Sequence, residues 1–358
     1  MQTVHLVYPH GPRISAPDSI GRHLAEALGA RYDVRLYDWD DTRLIRPGAD
    51  DVLIGHPHPA PWTTFRRSSR VRGWRRVIGM SPYNHGDVFQ VAFIDQVIRR
   101  CDLYLAITGS YWFDSVAASR FAHWLPKLVQ LDLAVDRTEF PVVKETFNEP
   151  GRRRIVYIGH SWWTKNAGYL TEIAAMLPDV ELAWIGEGPV PIDGLRALGP
   201  LDFADAEARA AVAKFDLMLT VGSADSNPAT VLEAMAWGLI PVCTPQSGYV
   251  GLESVPNVPL GDAPAAAARL RSLLTADVAQ LRAWQADNWR LLDERFNWSR
   301  FSTRVIEAIE SDRRPNVSPV PLRRTLELRL ATLRSPFAPF RRSALRLGAK
   351  ALTARVRR

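Results

Sequence analysis

Short apolar runs alternate along this chain with stretches of helical periodicity. Residues 3–9 (TVHLVYP) predict a buried strand, and Asp18-Ser19 a cap for a helix whose Ile20, Leu24 and Leu28 share one face. Further strands are expected at 33–38 (DVRLYD), 51–57 (DVLIGHP), 76–82 (RVIGMSP), 101–108 (CDLYLAIT) and 125–133 (LPKLVQLDL), with a helix over 88–100. The polar, Pro- and Gly-containing stretch 148–154 (NEPGRRR) reads as a linker, after which the rhythm restarts. Strands follow at 154–160 (RIVYIGH), 180–188 (VELAWIGEG), 215–221 (FDLMLTV) and 239–244 (LIPVCT), with helices at 169–177 and 231–238. Residues 281–309 read as one or two helices broken around RFNWSRF, where Trp298 and Phe301 look like packing residues.

Strands separated by helices in this rhythm predict an α/β protein of two tandem Rossmann-like, doubly wound domains. The expected divisions are residues 1–147, residues 154–312 and a basic amphipathic tail, 313–358. The final helices before the tail are candidates to pack back on the first domain. Ligands are expected outside the carboxyl ends of the strands, in the crevice between the two domains.

Composition adds three constraints. An apolar fraction of 47% with 23% charged residues is that of a globular protein, and no run of about 18 apolar residues suggests a membrane-spanning helix. The first residues lack the pattern of a signal peptide, and Cys101 and Cys243 lack paired spacing, so a reduced cytoplasmic protein without structural zinc is expected. The net charge of +7 hides an asymmetry: residues 313–358 hold thirteen Lys or Arg against Glu327 alone and carry +12, which leaves −5 on the rest.

The stretch SADSNPATVLEAMAWGLIPV, 223–242, carries the chemistry. A strand ends before it. Asn227 suits an N-cap, Pro228 the first helical position and Gly238 the helix end. Such a strand–loop–helix start leaves free amides around 229–231, at the positive end of the helix dipole, which binds phosphate. Asp225 projects from the loop, and Glu233 lies about a turn inside an otherwise apolar helix. A carboxylate at that depth can accept the hydroxyls of a ribose.

The order acid, seven residues, Glu, then Ala-Met-Ala-x-Gly-x-x-Pro-Val resembles the signature of the GT-B glycosyltransferases of family four (glycosyl transferases group 1), with Asp225 in place of the first Glu. The resemblance implies that Asp225 holds hydroxyls of a donor sugar and Glu233 the ribose of a nucleotide-diphosphate sugar. The backbone from Asn227 through Pro228 and Ala229 to Thr230 would then meet the sugar and diphosphate. RIVYIGHSWWTKNAGYL resembles the opening of that family's donor domain: Lys165 keeps the diphosphate-binding lysine, His160 stands where an arginine is usual, and Asn166-Ala167 replaces a glycine. Gly159, Gly186 and Gly188, in that segment and in WIGEGPV, are candidate backbone contacts to the nucleotide. The match covers about residues 154–250.

For the first domain the resemblance implies a histidine close to the transferred sugar. His85 in VIGMSPYNHGD fits best, with His56 and His58 as rivals, and Gly11, Arg13 and Asp18 are candidate acceptor contacts. The implied activity is retaining transfer of a sugar to an acceptor hydroxyl, with His85, Lys165 and Asp225 at the chemistry and no metal or other cofactor. Asp38-Trp39-Asp40-Asp41 imitates a metal-binding Asp-x-Asp pattern but falls too early in the chain. No G-x-G-x-x-G follows the first strand, which disfavours a dehydrogenase. In the tail, Leu322, Leu326, Leu330 and Leu333 share a helical face flanked by Arg323, Arg324 and Arg334, and Arg342, Arg346 and Lys350 form a second stripe. That pattern suits an anionic membrane surface and a glycan or glycolipid acceptor, at the inner face of the cell membrane. The tail has no Tyr or Trp to stack bases, so nucleic acid is not expected. A sugar-nucleotide epimerase and a non-catalytic glycan- or nucleotide-binding paralogue remain alternative readings.

Overall fold

The structure, a computed structural model, describes residues 1–11, 15–60, 62–161 and 165–317, together with Arg323, Leu326, Glu327 and Leu330. Arg13 and most of the basic tail lie outside the described residues; of the first expected stripe only Leu326 and Leu330, with the flanking Arg323, are described, and all three are exposed. Two compact units emerge. The first holds residues 1–107, 115–131 and those from 299 on; the second holds 108–114 and 132–298. The continuous stretch of the second unit runs from Asp132 to Trp298 and includes the polar stretch 148–154.

The first unit contains β1 (Thr3–Val7), α1 (Ala16–Gly29), β2 (Asp33–Tyr37), β3 (Val52–Gly55), α2 (Thr64–Ser68), β4 (Arg76–Pro82), α3 (Val88–Asp95) and β5 (Leu103–Ile107). Strand β6 (Leu128–Leu131) completes it, after the short helix α4 (Ser110–Ser115), most of which belongs to the second unit. All six strands are parallel, in the order β2-β1-β3-β4-β5-β6. Each of β3 and β5 is buried along its whole length, as expected of strands covered on both faces. Helix α1 starts one turn earlier than the sequence suggests. Ser15 is the N-cap, accepting from the Asp18 amide at 3.3 Å, and Ile20, Leu24 and Leu28 are buried as their spacing requires. Helix α3 stops at Asp95, not at residue 100.

The second unit contains β7 (Ile155–Ile158), α5 (Ala167–Ala175), β8 (Leu182–Ile185), β9 (Arg196–Gly199), α6 (Ala206–Val212), β10 (Leu217–Thr220), α7 (Ala229–Trp237) and β11 (Ile240–Cys243). Helices α8 (Ala263–Leu274) and α9 (Val278–Glu294) complete it, and α10 (Trp298–Glu310) carries the chain back to the first unit. The parallel order is β11-β10-β7-β8-β9. Leu170 and Ile173 of α5, Leu217 and Leu219 of β10, Ile240 and Val242 of β11, and Leu270 of α8 meet in one apolar core. Strand β9 and helix α6 were not legible in the sequence; β9 is largely exposed, so it lacks the apolar run that marks a buried strand. The break expected near RFNWSRF is real: α9 ends at Glu294, α10 begins at Trp298, and Phe301 is buried.

A buried ion pair fixes the start of β10. Lys144 Nζ lies 2.9 Å from Asp216 Oδ1, and both side chains are almost wholly buried. Asp216 also accepts from the Asn148 amide and side chain at 2.8 Å each and from the Arg154 amide at 3.0 Å. Every lone pair of this inaccessible carboxylate that geometry can reach is occupied, which offsets its desolvation.

Candidate functional site

In the second sheet the chain leaves β7 toward β8 and β9 on one side and returns to β10 and β11 on the other. The described residues that follow β7 (159–161 and 165–166) and β10 (221–228) therefore flank the point where the strand order reverses, the place where doubly wound sheets bind ligands. Lys165 ends the first loop and Asp225 sits in the second. Lys165 Nζ donates to Asp225 Oδ2 in a close ion pair, with both side chains about four-fifths buried.

Glu233 completes the cluster from α7. Part of its surface stays open, yet burial pushes its carboxyl up to about 7, with Lys165 pulling it back down. Lys165 thus pairs with Asp225 and also favours the charged form of Glu233. Helix α7 begins at Ala229 with Pro228 as its N-cap and no side chain capping the first turn. The Val231 amide is turned back to Pro228 O at 3.2 Å, and the Ala229 and Thr230 amides find no acceptor among the described residues at this helix start. The helix ends as expected at Gly238, whose φ of 90° is left-handed.

Asn227 does not cap the helix. It lies one residue further out and is buried, and its Oδ1 accepts from the Leu133 amide at 2.7 Å. Its role in this structure is to tie the loop to the chain entering the second unit. Asn166, which follows Lys165, has φ 58° and ψ 46°. This is the left-handed conformation that glycine favours and asparagine tolerates, so the change from the expected glycine keeps the turn. Its Nδ2 reaches Val221 O at 3.4 Å and links the two loops.

The candidate glycines have structural duties. A Cβ on Gly186, at φ 146°, would come 2.1 Å from Gly159 O, and one on Gly188 would come 2.2 Å from Ser161 Oγ. Their absence of side chains lets the turns after β7 and β8 pass in contact. His160 is exposed, and its pKa is lowered first by burial of its ring environment and then by Lys165. It adds no positive charge at neutral pH where an arginine would.

In the first unit, His85 follows β4 and is half-buried. Its Nδ1 is 3.5 Å from Tyr83 Oη and its Nε2 3.4 Å from Ser115 Oγ, and burial lowers its pKa. A neutral ring offers one N–H donor and one acceptor nitrogen at once. His56 and His58 follow β3, and burial pushes their rings down to about 3 and about 4. Both rings pack against Trp39, at 5.0 and 5.7 Å, which places them in an aromatic cluster. Asp18 is engaged within its own unit, accepting from the Gly11 amide at 2.9 Å and from Ser15 Oγ at 2.6 Å. Gly11 is thus held by Asp18. Asp38, in the Asp-x-Asp pattern, has its pKa raised by burial and then by Asp40.

The residues absent from the sequence reading are Trp112, Gln246 and Tyr249. Trp112 Nε1 reaches Asp225 O at 3.2 Å and Gln246 O at 2.9 Å, and Tyr249 Oη donates to Pro228 O at 3.1 Å. No periodicity announces them, because each touches the site loop through a main-chain atom.

No family model and no curated protein matches the chain. Solved structures do. A sucrose-phosphate synthase from Thermosynechococcus elongatus aligns at TM-score 0.64 with 14% identity, covering 86% of this chain and 98% of that one. A glycosyltransferase from Rickettsia africae aligns at TM-score 0.60 with 11% identity and the same coverage of 86% and 98%. HepE from Anabaena, solved with UDP and glucose, aligns at 0.58 with 11% identity over 87% of this chain and 100% of that one. The fold is GT-B. Two parallel sheets of six and five strands with flanking helices are shared with these GT-B structures.

Proposed function

We propose that this GT-B chain is a glycosyltransferase that moves a sugar from a nucleotide-diphosphate sugar to an acceptor hydroxyl, with retention of configuration. The observation that carries the reading is the convergence of Lys165, Asp225, Glu233 and the uncapped start of α7 at the switch point of the second sheet. Each part matches a part of the donor. The Ala229 and Thr230 amides and Lys165 face the diphosphate, where negative charge grows as the glycosidic bond breaks. Asp225 meets sugar hydroxyls, and Glu233 meets the ribose. Lys165 must then exchange Asp225 for the diphosphate, which frees the Asp225 carboxylate for the sugar. HepE with UDP and glucose, and a starch synthase from Arabidopsis thaliana bound to ADP and acarbose, are similar folds that hold such nucleotides.

The positive charge in this reading comes from Lys165 and the helix start, so turnover is expected to persist in EDTA. His85, with its neutral ring, is assigned to the sugar on the acceptor side, while Gly11 and Asp18 shape the loop that meets the acceptor. The acceptor is a surface polysaccharide or glycolipid intermediate at the membrane. The basic tail supports that placement, as do Arg70, Arg72, Arg75 and Arg99, which are all exposed on the first unit.

Transfer and hydrolysis assays across a panel of nucleotide sugars test the proposal. Lys165→Ala is expected to lower kcat/KM by about 10²–10³-fold, the range for losing one preorganised charge donor. If no nucleotide sugar binds and Glu233→Ala changes nothing, the reading is wrong.

A further inference from the structure

The loop that carries Asp225 is held by a segment distant in sequence. Residues 108–114 belong to the second unit although they directly follow β5. Gly109 N donates to Ser226 O at 3.0 Å, and Trp112 Nε1 is shared between Asp225 O at 3.2 Å and Gln246 O at 2.9 Å. The same Gln246 O accepts from the Asp225 amide at 3.2 Å. Gln246 is itself attached to the segment, its Nε2 donating to Tyr111 Oη at 3.2 Å. A Cβ on Gly109 would come 1.8 Å from Gly248 O, so the segment is pressed against the 245–248 turn with no room for a side chain.

Both polar atoms of the Asp225 backbone are therefore committed, the amide to Gln246 and the carbonyl to Trp112. The side chain is what remains free to choose a partner, and Lys165 is that partner here. Trp112 is only 6% exposed, so the hydrogen bonds of its N–H lie in a largely dry setting, where losing one is costly. A short Asp arm adapts less than Glu would, so the position of its Cα decides which hydroxyl the carboxylate can meet.

We infer that Trp112 is a positioning residue that sets which donor sugar is accepted, by fixing the backbone of Asp225. This inference rests on the transferase reading above for its sugar, though the hold on the Asp225 carboxylate can be measured without turnover. Trp112→Phe keeps the ring and removes the N–H. The ratio of kcat/KM between the preferred donor and its hydroxyl epimer is expected to fall about five- to tenfold, in line with the loss of one buried hydrogen bond. Affinity for the donor's own nucleoside diphosphate, read by calorimetry, is expected to stay within about twofold, since Glu233 and the α7 amides are untouched. Trp112→His, which retains a ring N–H, is expected to recover part of the ratio.

Acylation of Lys165 by an amine-reactive reagent, quantified by mass spectrometry, gives the readout that needs no sugar. In Trp112→Phe it is expected to speed up severalfold toward the rate of Asp225→Ala, as the ion pair loosens. Unchanged donor ratio and unchanged Lys165 acylation together overturn the inference. So does a loss of nucleoside diphosphate binding and melting temperature in both variants, which marks Trp112 as structural alone. A wild-type chain that turns over no donor overturns the transferase reading instead, and the acylation comparison still decides whether Trp112 holds the carboxylate.

Discussion

Glu233 combines two demands that pull apart. Its carboxyl is pushed up to about 7 by burial, so near neutral pH it is close to half protonated. Ribose hydroxyls donate to a carboxylate, so binding of a nucleotide sugar is expected to strengthen as pH rises from 6 to 8. The increase is at most about tenfold per unit below the pKa. Glu233→Gln is expected to flatten this profile and weaken binding at pH 8. Calorimetric titration with a nucleotide sugar checks it, because a phosphodiester-linked diphosphate does not itself titrate in that window. Stability moves the other way. The folded pKa lies above the ordinary value of 4.5, so the native state holds the extra proton between about 4.5 and 7 and stability falls as pH rises through that interval. Glu233→Gln is thus expected to raise the melting temperature at pH 8, by on the order of 1–3 kcal/mol of stability, and to leave it unchanged at pH 4.5. A variant both more stable and worse at binding is the mark of a residue kept for function. That Glu233 is out of place among its neighbours was legible in the sequence, as a lone acid among Leu232, Ala234, Met235 and Ala236. The role of Asn227 was not, because its side chain is claimed by the Leu133 amide, 94 residues away. Local capping statistics cannot see such a partner.

Among the elements, β10 bears most of the positional burden, because its two ends are fixed by different means. Its start is anchored by the Lys144–Asp216 pair, and its end opens into the loop that carries Asp225. Breaking a satisfied buried pair from one side leaves an uncompensated charge. Lys144→Ala is therefore expected to cost about 3–5 kcal/mol, readable as a lower denaturant midpoint. Lys144→Met with Asp216→Asn together is expected to cost much less than the sum of the single changes, which a double-mutant cycle measures. Independent, additive effects would show that the two side chains do not interact. The alternation of strands and helices in this unit was visible from periodicity, because β7, β8, β10 and β11 are each buried throughout. The order of the strands was not. The reversal between β7 and β10 is decided by which helices cover which face, and the sequence records only that each strand is apolar. Without that order nothing brings Lys165 to Asp225, which lie 60 residues apart.

At the scale of the whole molecule the governing feature is charge. Residues 318–358 hold eleven Lys or Arg and one acid, a net +10, so the preceding 317 residues carry −3. Arg313 and Arg314 are part of the folded first unit. Arg313 O accepts from Arg76 at 3.1 Å, and Arg314 donates to Arg75 O at 2.7 Å. A chain ending at 317 keeps these contacts and is the informative truncation. About 1 kcal/mol per basic residue near an anionic surface, with Leu and Phe side chains added, exceeds what the exposed arginines of the first unit can supply against an acidic remainder. The full chain is expected to sediment with phosphatidylglycerol-containing vesicles at low salt, and the shortened chain to remain in the supernatant. Binding of the full chain is expected to weaken as ionic strength shortens the Debye length below about 8 Å. Nucleotide-sugar affinity of the shortened chain is expected to match the full chain, since Lys165, Asp225 and Glu233 all precede the cut. If the shortened chain sediments equally well, the membrane placement rests on the first unit and the tail has another purpose. If neither chain sediments, the acceptor is to be sought among water-borne glycans, with the donor site unaffected.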